Sequence, residues 1–126
     1  MKIQDKLKWL ADGACLALCY MELWGIHNDE DKLKILAEAV RQGFVEWDST
    51  VVNPIGLARL CGHTEVKDIK KTSTYDGHNT VIANFTHNGF NHFVLVKDGT
   101  VVWNSLEKSV CVENGKIESF RVPITN

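Results

Sequence analysis

The stretch NHFVLVKDGTVVWNS, residues 91–105, decides the fold, because it is the most regular strand-turn-strand pattern in the chain. Two runs rich in β-branched and aromatic residues flank an Asp-Gly pair, which is a hairpin signal. The turn has two readings. With Asp98-Gly99 as a two-residue turn, Lys97 faces Thr100, His92 faces Ser105, and Asn104 points to the other side with Phe93. With Lys97-Asp98-Gly99 as a three-residue loop and Gly99 left-handed, Val96 faces Thr100 and His92 lies opposite Asn104. The second register gathers Phe93, Leu95, Val101 and Trp103 on one face and is the one predicted, although Val94, Val96 and Val102 make the reverse face apolar too.

Further short runs of the same character surround this hairpin. TVIANFTH (80–87), SVCVEN (109–114) and KIESFRV (116–122) are predicted strands separated by Gly, Asn or Asp, and VKDIKKTSTYDGHN (66–79) is a strand followed by a polar loop. Before Gly62 the period changes. Leu33, Leu36, Ala37 and Val40 recur at helical spacing between a cap at Asn28 or Asp29 and a stop at Gly43. Asn53 as N-cap, Pro54 at the first helical position and Gly62 beyond the end punctuate a third, short helix. DGACLALCYMELWG (12–25) is apolar on nearly every side, so it reads as a helix inside the domain that Gly25 ends, with a lead-in helix over 3–11 and a break at Asp12-Gly13. Helices first and strands second imply a single α+β domain over 1–126, with N-terminal helices packed on a C-terminal antiparallel sheet.

Composition bounds the function. The chain has 126 residues, 44% hydrophobic and 24% charged, which suits one globular domain. A formal net charge of -2 and a pI near 6.2 offer no broad basic surface, so nucleic acid is not an expected partner. Lys67, Lys70 and Lys71 are expected to be a solvated strand end. Asp5, Lys6 and Lys8 interrupt the apolar stretch that a signal peptide requires, and no run approaches membrane-spanning length. The expected location is cytoplasmic, with no membrane partner. Cys15, Cys19, Cys61 and Cys111 show no Cys-x-x-Cys spacing and are expected to be free thiols.

Two of those thiols sit one helical turn apart. The unpaired N–H groups at a helix N-terminus ease the ionisation of a thiol placed there. Cys15 lies at that end, whereas Cys19 lies a turn inside, where the effect has faded, and is assigned to the core. A nucleophilic thiol needs a base, and among His27, His63, His78, His87 and His92 the last stands apart because it opens the hairpin. Asn104 beside His92 would fix the tautomer of the imidazole and leave its other nitrogen to accept the thiol proton.

A cysteine opening a buried N-terminal helix, followed much later by NHFVLV and WNS, resembles the Cys, His, Asn order of papain-like cysteine peptidases. The likeness runs from Cys15 to Ser105 and is nearest to small bacterial and phage forms such as bacteriocin-leader and NlpC-type peptidases. It implies Cys15 as nucleophile, His92 as general base and Asn104 as the residue that orients it, acting on a peptide or amide substrate without a cofactor. Two positions depart from that pattern. Lys8, Trp9, Leu10 and Ala11 stand where such families often carry a Gln of the oxyanion hole, Gln4 lies farther off, and Leu16 follows the cysteine where small relatives often have Gly. The alternative is the same fold, catalytically weak or inactive, serving as a binding module. Cys61-Gly62-His63 with His78 or His87 matches no common zinc spacing, and Trp9, Trp24, Trp47 and Trp103 are expected to supply core bulk, with Trp103 shielding the His-Asn pair.

Overall fold

The computed structural model describes residues 14–106 and 109–126. The predicted lead-in helix over 3–11, the Asp12-Gly13 break, Trp9 and the positions that lack the oxyanion Gln lie outside them. The first described helix, α1, covers 14–23. Its Ala14, Ala17, Leu18, Cys19, Tyr20 and Met21 are all buried, as apolar side chains on every face require. Tyr20 stacks on Trp24 with ring centroids 4.9 Å apart, and Ile26 N–H closes the last turn onto Met21 C=O at 2.9 Å. No helix among the described residues is long and apolar enough to cross a membrane.

Helix α2 (Asp29–Arg41) starts where Asn28 Oδ1 accepts the N–H groups of Glu30 and Asp31. Helix α3 (Pro54–Leu60) starts where Asn53 Oδ1 accepts that of Gly56, with Pro54 at its first position. The loop between them is pinched by a bridge from Val45 to Val51. Alternation along it turns Val45 inward at 1% exposure and Trp47 outward at 90%, so Trp47 contributes nothing to the core it was expected to fill.

Five strands then form one antiparallel sheet in the order β1-β5-β2-β3-β4: β1 (Asp68–Thr72), β2 (Val81–His87), β3 (Phe90–Lys97), β4 (Thr100–Trp103) and β5 (Lys116–Ile124). Lys67, Lys70 and Lys71 are solvated on the edge strand and its lead-in. One face of the sheet, with Ile82 and Leu95, packs against the three helices. The other carries a second apolar cluster of Val81, Ala83, Val94 and Val96 with Val112 against it.

The run SVCVEN is a correction to the sequence reading. Its strict alternation predicts a strand, but residues Val110–Asn114 form a short helix, α4, capped by Ser109 Oγ on Val112 N–H. Position explains the difference. The segment must cross the second face of the sheet rather than join it, and it turns into β5 at Gly115, where a Cβ would stand 2.2 Å from both Cys111 C=O and Thr86 C=O. Only glycine permits that approach of two backbones.

Helices α1 and α2 are tied by a charge pair. Lys32 is 2% exposed, with its ammonium 2.9 Å from Glu22 Oε1 and 5.2 Å from the centre of the Trp103 ring. Burial raises the Glu22 carboxyl, but hydrogen bonds and charge from Lys32 and His27 outweigh it and hold Glu22 below the usual carboxylate range. A carboxylate so depressed stabilises the fold fully above its unfolded pKa and loses that contribution as pH falls through its folded value. Glu22→Ala should therefore cost about 3 kcal/mol at pH 7, because it leaves a buried ammonium without its partner. It should also flatten the loss of stability below about pH 5, as read from urea midpoints across pH.

Candidate active site

The site begins at the turn of the hairpin. Asp98 and Gly99 both have positive φ, 50° and 79°, and Lys97 faces Thr100, so the turn has two residues and the predicted three-residue loop is wrong. That register alone would send Asn104 to the side opposite His92. It does not persist: Val96 pairs with Val101 but Leu95 pairs with Trp103, so Val102 is an extra residue, a bulge that reverses the facing of everything after it. Val101 thus joins the second face, and Asn104 returns to the side of His92. The contact that the discarded register would have made by direct pairing is made diagonally across a bulge.

His92 Nε2 lies 2.6 Å from Asn104 Oδ1, and His92 is 5% exposed. The backbone N–H of Leu106 donates to the same Oδ1 at 2.9 Å. A backbone N–H only donates, so the atom accepting from it is the amide oxygen rather than the nitrogen. His92 Nε2 must then carry the hydrogen, and in the neutral ring Nδ1 is the basic nitrogen. Trp103 takes no part in this. It pairs with Leu95 and packs on the helical side beneath Lys32, across the sheet from the imidazole it was expected to shield.

Pairing with β4 involves only Leu95 to Lys97 of β3, so the His92 end of that strand has no neighbour on its β4 side. Helix α1 fills the place with its two thiols. Cys19 Sγ donates to Phe93 C=O at 3.2 Å, and the N–H of the same residue points toward Cys15 Sγ. Side chains four apart share a helix face, so one turn of α1 spans both polar groups of a single strand residue. Cys15 is thereby placed against the residue that follows His92. Among the described residues no hydrogen bond joins Cys15 Sγ to the imidazole.

Burial pushes the Cys15 thiol above its ordinary range, opposed by the N–H groups of Phe93, Leu16 and Cys15 that point at the sulfur. Burial raises Cys19 much further and takes Cys61 up to about 11. Cys15 is half-buried and the other three are buried. Sequence reasoning missed one of them as a neighbour of the site. Because α4 is a helix lying over the second face, Cys111 lines a groove of about 510 Å³ together with His92, Phe90, Leu106 and Val110. Ser109 as a cap and Gly115 as a stop were the signals in the sequence that would have revealed it.

The remaining histidines are dispersed. His63 bridges Glu65 and the Trp24 carbonyl at 2.6 and 2.9 Å, and His78 pairs with Asp98 at 2.8 Å. No group of three or more His, Cys, Asp or Glu among the described residues is placed to hold a metal ion. In comparisons with known proteins the chain matches no protein family, no curated protein and no solved structure.

Asn104→Ala should leave His92 Nε2–H and Leu106 N–H without an acceptor and cost about 1–3 kcal/mol. Side-chain ¹⁵N spectra should show His92 as the Nε2–H tautomer in the parent and as a mixture in the variant. Cys19→Ala should cost about 1–2 kcal/mol, from a lost hydrogen bond and a small cavity, whereas Cys15→Ala should cost less than half of that in the same denaturation series.

Proposed function

We propose that the chain is a thiol-dependent amide hydrolase of papain-like type, with Cys15 as nucleophile, His92 as base and Asn104 as the residue that holds the base in its working tautomer. The observation that carries this reading is the doubly accepting Asn104 Oδ1, which assigns the proton to Nε2 and leaves Nδ1 basic.

The reaction is acyl transfer in two stages. Cys15 Sγ–H gives its proton to His92 Nδ1 as the sulfur bonds to the substrate carbonyl carbon, and the imidazolium returns that proton to the nitrogen as the C–N bond breaks. Water, deprotonated by the same Nδ1, then hydrolyses the thioester. The N–H groups of Cys15 and Leu16, which point at the sulfur, would be the donors to a developing oxyanion. Because burial keeps the thiol protonated at neutral pH, proton transfer accompanies attack and no ion pair stands ready beforehand.

That same burial favours the second reading, a binding module on this fold whose thiol is inert. Site-resolved alkylation separates the two. With iodoacetamide at pH 7.5, Cys15 should react faster than Cys19, Cys61 and Cys111, and His92→Ala should slow it at least about tenfold without loss of fold by circular dichroism. A Cys15 rate unchanged by His92→Ala would assign its reactivity to exposure alone and leave the binding module.

A further inference from the structure

A second cavity, of about 310 Å³, opens on the face of the sheet that carries His92, but at the far end, where β3 reaches Val96. It lies between the loop 75–79, the Asp98-Gly99 turn, and β5 at Ile117 and Phe120, and each of these walls is continuous described chain. The loop is built round its own tyrosine. Asn79 N–H donates to Tyr75 Oη at 3.3 Å, and a Cβ at Gly77 would stand 2.3 Å from the same oxygen, so the chain can curl this closely only with glycine there. The Tyr75 ring in turn meets that of Phe120, with centroids 6.1 Å apart, over a floor of buried Val81 and Val96. Walls fixed by contacts of this kind stand before a ligand arrives, which lowers the ordering cost of binding.

The fixed charge at the rim has one sign. Asp76 and Asp98 line the cavity, and among the described residues no Lys or Arg does. The cations next to lining residues in the sequence are turned away: Lys97 follows Val96, Lys116 precedes Ile117 and Arg121 follows Phe120, so strand alternation sends each to the opposite face, where Arg121 lies 5.3 Å from the centre of the Phe93 ring. His78 Nδ1 meets Asp98 Oδ1 at 2.8 Å, and the second carboxylate oxygen keeps its own lone pairs. An anion entering here meets two like charges, and a neutral apolar ligand leaves both carboxylates unused, whereas a cation on an apolar body is attracted by the carboxylates and by the aromatic faces together. We propose that the cavity binds a small organic cation, an ammonium carried on an apolar or aromatic body, with the body on Tyr75, Ile117 and Phe120 and the charge at Asp76 and Asp98. A volume at the lower end of the range for small-molecule clefts suits one such ligand. The site is separate from Cys15 and His92 and does not rest on the hydrolase reading.

Three probes of one shape and different charge test this: 2-phenylethylamine, 2-phenylethanol and 3-phenylpropionate, each titrated into the full chain and followed by backbone ¹H–¹⁵N spectra at the amides of Gly77, Asn79 and Gly99. The amine should bind at least about fivefold more tightly than the alcohol at low salt, and raising the salt to about 0.5 M should shrink that advantage. The carboxylate should bind no better than the alcohol. Asp76→Asn and Asp98→Asn should each reduce the advantage and together bring it to about one. Asparagine keeps the positive φ of position 98, so the turn survives the change. Ile117→Ser, at an exposed side chain, should weaken amine and alcohol alike by at least about threefold and leave their ratio unchanged. Equal binding of amine and alcohol by the parent, or an advantage undiminished in the double Asn variant, overturns the proposal. So do spectral changes centred on Trp47, whose exposed ring stands between Glu46 and Asp48, in place of changes at the cavity amides.

Discussion

One extra residue in one short strand sets the rest. Val102 has no partner on β3, and the bulge it forms acts in two directions. Downstream it turns Asn104 to the face where His92 stands. Upstream, pairing stops at Leu95, which leaves the N–H and C=O of Phe93 to be satisfied by something other than a strand. Buried backbone groups left without partners each cost on the order of 1–3 kcal/mol, so the Cys19 thiol on the Phe93 C=O, though a weaker donor than a strand N–H, helps hold α1 against this edge. The base, its orienting amide and the position of the nearby thiol thus share a single cause in the backbone.

The electrostatics of the site are restrained. Among the described residues the imidazole's hydrogen-bond partner is a neutral amide, and the thiol is opposed by burial more than it is helped by the N–H groups that point at its sulfur. Charge is used elsewhere. The Glu22–Lys32 pair lies three residues beyond Cys19 on the same face of α1, where it ties two helices together beside Trp103.

Much of this was legible in the sequence where local chemistry decides. Asn28, Asn53, Pro54 and Gly25 punctuate the helices where expected, because capping depends on residues within one turn. The α+β order with an antiparallel sheet followed from helical periods giving way to alternation. Long-range geometry was less accessible. Asp-Gly was assigned to the wrong turn, and the pairing of His92 with Asn104 was reached through a register that the chain does not adopt, because a bulge leaves no mark in the residues that form it. SVCVEN alternates like a strand yet is a helix, since tertiary placement overrides a pattern only six residues long. Trp47 shows the same limit: its hydrophobicity is evident in the sequence, but which side of a pinched loop it occupies is not.

The two thiols on Phe93 hold it by its main chain. Cys15 and Cys19 contact an N–H and a C=O, atoms that every residue other than proline presents alike. The axial position of α1 along β3 is accordingly fixed by peptide geometry, and the distance from thiol to imidazole is set through one covalent step in the strand rather than through a lock of matched side chains. Any residue but proline at position 93 would present the same two backbone groups to α1.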